Sequence, residues 1–534
     1  MGGTLNSTAE RSGASDVAPL RIYVSDRDRP KARWRRRIAW TILIVGAFLY
    51  GAIFTFFPPA FIPPLLVPLL ALTAVVIWAL PTRERVPTGF LRWLFMGVLV
   101  SIVAWPVYLA IALPGLPWIT MTRVFIIPLT VAFLVCLSLS REMRNEMKEV
   151  LSANRLPVRL LLLFVLLQFL SIFFSGNPFD SFEKFLIDQI YWTAMFFVAC
   201  YLFRDQRMLI AWSWLLIALA AFTCAIGIWE WRLGHVPWVG HIPSFLQISD
   251  DSVLRALAGS TRGGAIAHRV QSTFAVSLGF GEYLALTTPL AIHFAIEGKN
   301  MWLRAVAALM LPVIFFTMMI SGARIGSVGF VLAVILYTGS WAIERWSTDR
   351  RSILGPAMTL GYPVIAGLML AMTFVSGRLR QIVWGGSNTE GSNQARIDQF
   401  HMGWPKVLEW PLGQGVGQGA IALGYTGDSG FLTIDTYPLR LALEYGLLGL
   451  VVFYAFFITG AVRGFPIGFR ARDPQLKMLL PLSIALAVFL FGKTVYAQES
   501  NHPIPFMMMG GVCALIARSR AEASLALKSK QPGA

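Results

Sequence analysis

The sequence predicts an all-α, polytopic integral membrane protein of about fourteen transmembrane helices (twelve to fourteen), with a large outer loop before the third-last span. Three observations carry that reading. Of 534 residues, 56% are hydrophobic and only 14% are charged, too little charge to cover a water-soluble chain of this length. The apolar residues fall in runs of about 20, the length a helix needs to cross hydrocarbon. The basic residues fall in short bursts between those runs, which is how membrane topology is written. That distribution also decides how to read the net charge of +17: it reflects orientation in a membrane, and no nucleic-acid role is expected.

Residues 1–37 form a polar, basic N-terminal tail ending in Lys31-Ala-Arg-Trp-Arg-Arg-Arg37. The apolar run behind it is too long for a cleavable signal peptide, and the tail suits the anionic headgroups of membrane lipids. One transmembrane domain is expected over 38–518, with spans near 38–58, 61–80, 90–112, 120–139, 158–175, 184–203, 209–229, 273–295, 302–320, 325–344, 353–376, 435–461, 478–496 and 503–518. Pro58-Pro59 and Pro63-Pro64 mark the first turn. A short tail, 519–534, closes the chain. The connecting segments alternate. One set is basic: the N-terminus, Arg83-Glu-Arg85, Arg141–Arg155, Arg204–Arg207, Lys299–Arg304, Arg345–Arg351, Arg463–Lys477 and Arg518–Lys530. The other set is short and nearly uncharged, or long. The positive-inside rule places the basic set and both termini in the cytoplasm.

Cys136, Cys200, Cys224 and Cys513 lie in or beside apolar stretches with no CxxC or His/Cys cluster. They read as small packing residues, with neither a disulfide framework nor a metal site expected. Two long outer segments, about 230–272 and 377–434, are where a large substrate would meet the bundle. The second contains Trp404-Pro405 and Gly413-Gln-Gly415-Val-Gly417-Gln-Gly419. These glycines follow no Rossmann strand, so a dinucleotide site is rejected. They would suit either a flexible loop or a backbone that approaches a ligand closely.

Charge inside or at the edge of a span is costly and usually has a partner or a task. Cytoplasmic arginines are explained by topology, but four outer ones are not. Arg269 closes the first outer loop. Arg324 opens a span within Ser321-Gly-Ala-Arg324-Ile-Gly-Ser327, among small residues that would let a bulky anion approach. Arg396 lies in the second loop, in Asn393-Gln-Ala-Arg396, and Arg440 lies about a turn into the following span. The planar guanidinium fork matches phosphate oxygens, so the set reads as a diphosphate or polyanion site. The competing reading is salt bridging to Asp398, Asp428, Asp435 or Glu444. Asp435, at the mouth of that span, could act as a base toward a hydroxyl or cap the helix. Glu444, about 13 Å further along a helix, could be a second base or an arginine's buried partner. Glu282 reads as structural. His268, beside Arg269, and the group Lys493, Glu499 and His502 are weaker candidates.

These residues bring out a resemblance. The sequence resembles the bacterial O-antigen ligase and polysaccharide polymerase superfamily over roughly 265–455. Three blocks carry it: Arg269-Val-Gln-Ser-Thr-Phe274 with Glu282 and Pro289; Ser321-Gly-Ala-Arg324-Ile-Gly; and the series Arg396, Trp404, Pro411-Leu-Gly413-Gln-Gly415, Asp435-Thr-Tyr437-Pro-Leu439 and Glu444-Tyr-Gly446-Leu-Leu-Gly449. The resemblance implies a glycosyltransferase of the inner membrane acting at the periplasmic face. Its donor would be a glycan on undecaprenyl diphosphate, with flippase and chain-length regulator proteins as candidate partners. It implies that no sugar nucleotide is used; no cofactor is expected, and no metal is required because the arginines supply the positive charge. It matches Arg269 and Arg324 to arginines that hold the donor diphosphate, and Arg396 to a loop arginine; Arg440 is a further candidate for that group. Asp435 stands where ligases carry a histidine, Thr436 where an Asn follows, and Ser277-Leu-Gly279 where Pro-Asn is often found. These departures tilt the expectation from ligase to exopolysaccharide, capsule or O-antigen polymerase. The expected catalytic set is Asp435, Glu444 and Arg324, acting by single inverting displacement. A transporter of polysaccharide or lipid-linked oligosaccharide and a non-enzymatic scaffold are the rival readings.

Overall fold

Helix boundaries in the computed structural model follow short polar signals. The structure describes residues 30–56, 62–80, 87–112, 118–248, 250–261, 268–348, 353–375, 377, 387–427 and 430–529. Helices α1 (Pro30–Phe56) and α2 (Ile62–Ala79) pack on each other, and α3 (Thr88–Ala104) stops at Trp105-Pro106. A hairpin of β1 (Ala110–Ile111) and β2 (Ile119–Thr120) follows. The Thr120 side chain then caps α4 (Met121–Leu139), and Ser140 caps α5 (Arg141–Ala153), each satisfying an orphan N–H of a first turn. Next come α6 (Arg155–Ser171) and α7 (Pro178–Asp188). The latter runs through a π turn, Gln189–Thr193, into α8 (Ala194–Leu202). Asp205 caps α9 (Gln206–Leu233), which ends on left-handed Gly234. Short α10 (Asp251–Ala258) leads to a second hairpin, β3 (Ser260–Thr261) with β4 (His268–Arg269). The rest is α11 (Ser277–Glu297), α12 (Met301–Ser321), α13 (Arg324–Thr348), α14 (Leu354–Val375), α15 (Ser387–Glu409), α16 (Gly419–Leu423), α17 (Tyr437–Arg470), α18 (Pro474–Lys477), α19 (Leu479–Gly492) and α20 (Pro503–Ser529).

The protein is a multi-pass, all-α membrane protein, but the expected count of about fourteen spans is corrected. Among the described residues, eight helices are long and apolar enough to cross a membrane: 121–139, 155–174, 178–202, 206–233, 301–321, 324–347, 437–470 and 474–492. The other expected spans fail for separate reasons. The run at 90–112 is broken by Trp105-Pro106, leaving a helix of 17 residues. The apolar part of α20 ends at Ala517, before Arg518, Arg520 and Glu522. In α11 the run is interrupted by Glu282, Pro289 and His293. That helix is sheathed by α9, α12, α13 and α19, so protein rather than lipid surrounds its polar groups. The expected spans 38–58, 61–80 and 353–376 include positions outside the described residues; Arg83, Arg85, residues 1–29 and residues 530–534 lie outside them as well.

Among the described residues, members of the two sets of connecting segments meet one another in two separate groups. In one, Arg204 pairs with Glu146, Arg92 with Asp205, Arg518 with Asp473, and Lys477 with Glu297 and Glu344. In the other, Thr273 bonds the Val103 carbonyl, Trp238 bonds Tyr108, and Gln418 bonds Asp180. The second long segment is largely structured there, as α15, α16 and an isolated bridge between Thr426 and Leu432. The core is aromatic: Trp212, Tyr283, Tyr437, Tyr445, Phe453, Phe456, Phe457 and Phe489 are fully buried.

Candidate active site at the loop end

Arg269 is placed by a strand and a turn. In β4 and the residues behind it, side chains alternate. His268 and Val270 face α9, where His268 Nε2 lies 2.6 Å from Glu230 Oε1 and Val270 packs on Gly227. Arg269 points the other way and donates to the carbonyls of Ser321 (3.5 Å) and Gly322 (3.4 Å). Gly322, at φ 63°, ends α12 in the left-handed conformation, and α13 starts on Arg324 two residues later. This corner sits tightly on α11. A Cβ on Gly281 would meet the Ala323 Cβ at 2.6 Å, and one on Gly326 would meet the Gly281 oxygen at 2.9 Å. Two glycines therefore let α11 and α13 cross close enough to set Arg324 beside the residues that carry Arg269.

The α19–α20 connection reaches into the same corner. The Tyr496 hydroxyl accepts from Gly326 N at 2.9 Å. Burial pushes the Tyr496 phenol up, while Arg269 and Arg396 are both near enough to pull it down. Arg396, on α15, and Arg269 are thus both within electrostatic reach of the Tyr496 hydroxyl. One turn along α15 from Arg396, buried Gln399 accepts from the backbone N–H of Asp435 at 2.9 Å. Asp435 does not cap α17. Thr436 holds that position without a side-chain bond. The Asp435 side chain is half-buried, and no hydrogen bond or ion pair among the described residues engages its carboxylate.

Arg440 and Glu444 belong to a different network. Arg440 Nε donates to Glu444 Oε1 at 2.8 Å, its NH2 pairs with Glu499 Oε2 at 2.7 Å, and its NH1 reaches the Ala497 carbonyl at 3.2 Å. Glu444 Oε1 also accepts from Gly419 N at 3.3 Å. The guanidinium fork is thus turned to protein on every edge, and Glu444 is the buried arginine partner that was one of its two readings. Burial pushes the Glu499 carboxyl up; Arg440 opposes this and Glu444 adds to it.

The glycine run is spent on the same network. Gly446 (φ 72°, ψ 176°) breaks α17, and a Cβ there would fall 1.9 Å from the Pro411 oxygen. Gln414 N and Gly415 N donate to the carbonyls of Leu443 and Glu444, replacing helical bonds lost at the break. A Cβ on Gly413 would meet the Glu444 oxygen at 2.2 Å. The close approach the glycines permit is to the chain itself.

Glu282 has buried partners on the α19–α20 side. It pairs with Lys493 at 2.9 Å, both side chains being buried, and accepts from Asn501 at 3.0 Å. His502 lies among the rings of Trp192, Tyr437, Phe453 and Phe489. Burial, then Lys493 and Arg440, push its imidazole well below the usual range. Asp398 accepts from Gln394 rather than pairing with Arg396, and Asp428 lies outside the described residues.

Four of the six expected residues therefore share one region: Arg269, Arg324, Arg396 and Asp435. Comparison with known families bears on the same stretch. Residues 283–454 match the family described as O-Antigen ligase. The matched segment is under half of the chain. It contains the α13 side of the crossing with α11, Arg324, Arg396, Asp435, Arg440 and Glu444, but not Gly281, Arg269 or Tyr496. No curated protein matches the chain. Three residues that shape the region escaped the sequence: Glu230, Gln399 and Tyr496. Each acts through a tertiary contact with no local motif, although Glu230, a carboxylate near the end of an apolar run, carried the signal that drew notice to Asp435.

Proposed function

We propose that the chain polymerises oligosaccharide repeats carried on undecaprenyl diphosphate, by inverting glycosyl transfer at the periplasmic face of a bacterial inner membrane. The observation that carries this reading is the meeting of Arg269 with the carbonyls that lead into Arg324, with Arg396 within electrostatic reach of Tyr496 in the same corner and Asp435 bonded to Gln399 one turn along α15 from Arg396. The family described for 283–454 supports a role in handling lipid-linked glycans.

The donor diphosphate lies against Arg269 and Arg324, at the positive end of α13, with Arg396 beside it. The acceptor hydroxyl gives its proton to Asp435 as its oxygen attacks the anomeric carbon from the face opposite the diphosphate. The carbon–oxygen bond to the diphosphate breaks, and the leaving group takes the electron pair with its charge stabilised by the arginines. No cofactor enters this scheme. Arg440 and Glu444 act as positioning residues that hold the mouth of α17 and thus Asp435. In this reading the catalytic region is 265–455 within a transmembrane domain at 38–518, and the basic set of connections with both termini is cytoplasmic.

A second reading, transfer of finished glycan to lipid A–core, is favoured by the description of the matched family itself. The lipid-linked glycans of a strain lacking the protein separate the two. Resolved by mass, single repeats accumulating without long chains are expected for a polymerase. Long chains stranded on the carrier would make the protein a ligase. A normal lipid-linked profile with intact surface glycan would contradict both.

A further inference from the structure

We propose that Glu230 is the positioning residue of the donor site: its carboxylate clamps the backbone on both sides of Arg269 and holds that guanidinium at the α12–α13 corner. The role in transfer rests on the donor-site reading above; the clamp itself does not.

Glu230 is fully buried one turn before the end of α9, where a carboxylate survives only if donors replace its water. It has them. Oε1 faces His268 Nε2 at 2.6 Å and Gln271 N at 3.2 Å; Oε2 accepts from Ser272 N at 2.6 Å and Gln271 N at 3.2 Å. His268 precedes Arg269, and Gln271 and Ser272 follow it, so a single side chain fixes both flanks of the arginine. Ser272 stands at φ 55°, left-handed for a residue with a Cβ and alone in this among the non-glycine residues described. Such a conformation costs about 1–3 kcal/mol and persists only where surrounding contacts over-determine it.

The other side-chain ties of this segment act on the residues that follow Arg269. Ser272 Oγ bonds the Thr223 carbonyl, Gln271 Nε2 that of Ala256, and Thr273 Oγ1 that of Val103. None of them touches the residue before Arg269, whose backbone is held also by the pairing of His268 with Thr261 in the β3–β4 hairpin. The imidazole is held from behind as well, since a Cβ on Gly259 would fall 2.4 Å from His268 Cε1. With His268 and Val270 fixed toward α9, Arg269 has only the opposite side, toward Ser321 and Gly322. Because Glu230 lies outside the matched segment, the matched half of the site depends on an unmatched residue for its second arginine.

Glu230→Gln keeps the shape but puts an amide NH2 where one oxygen accepted N–H donors. The full-length variant, purified in lipid nanodiscs, is expected to exchange the Gln271 and Ser272 amides faster than wild type. In transfer assays with a polyprenyl-diphosphate oligosaccharide, its donor KM is expected to rise on the order of tenfold to a hundredfold, with kcat little changed. Arg269→Ala should raise donor KM as well, and the double variant should be no worse than Arg269→Ala, because Glu230 acts through Arg269. Unchanged amide exchange overturns the clamp. Faster exchange with a wild-type donor KM, or losses that multiply in the double variant, overturns the positioning role. If Arg269→Ala alone leaves donor KM intact, the donor-site reading fails while the exchange result still decides the clamp.

Discussion

Asp435→Asn lowers glycan transfer roughly 10²–10⁴-fold, the range for loss of a general base, and leaves the amount of protein in the membrane unchanged. Asn keeps the size of the side chain and the backbone N–H bond to Gln399, and among the described residues the carboxylate holds nothing else in place. The loss should fall on kcat, since the proton leaves the acceptor hydroxyl only in the transition state. The check is transfer rate per immunoquantified protein in membrane vesicles. Near wild-type turnover in Asp435→Asn would remove Asp435 from the chemistry.

Arg440→Ala has a comparably large effect, on the fold. It leaves Glu444, 1% exposed, and Glu499, 23% exposed, without the guanidinium that bridges them. Stranding one member of a buried pair costs about 3–5 kcal/mol. The variant should therefore lose thermal stability in detergent and accumulate poorly. Arg440→Met combined with Glu444→Gln should recover part of the loss, because the uncharged pair no longer leaves Glu444 as an uncompensated charge. A stable Arg440→Ala protein with a raised donor KM would instead move Arg440 into the donor site. Asp435 and Arg440 lie five residues apart at the start of one span, and the account separates them: one serves the reaction and the other the frame.

The contrast marks how far the sequence was legible. Apolar runs gave the all-α membrane class, and basic bursts gave the two sets of connections whose members meet in two separate groups. Composition could not give the span count. In α11, Glu282 and His293 interrupt a helix that protein sheathes, whereas in α20 the apolar face ends at Arg518 although the helix continues to Ser529. Outer arginines stood out because nothing in topology required them, and three of the four share a region. The fourth, Arg440, looked the same in sequence. It differs through Glu444 on its own helix and through Glu499 and the Ala497 carbonyl, which are distant in the chain. The glycine run was equally ambiguous, since φ beyond zero and close approach are needed alike for a ligand and for the broken α17 it actually meets. Gln399 was silent, and the role of Glu230 was hidden, because each acts on a backbone N–H whose position only the folded chain fixes.

The central claim is that the arginine corner handles a lipid diphosphate leaving group. The most direct test is purified full-length protein in liposomes, given only a single-repeat oligosaccharide on polyprenyl diphosphate, with lipid-linked products resolved by mass. Glycans of two or more repeats are expected without any nucleotide sugar, and their loss with Arg324→Ala while the variant remains folded and inserted. Products formed equally well by Arg324→Ala would contradict it.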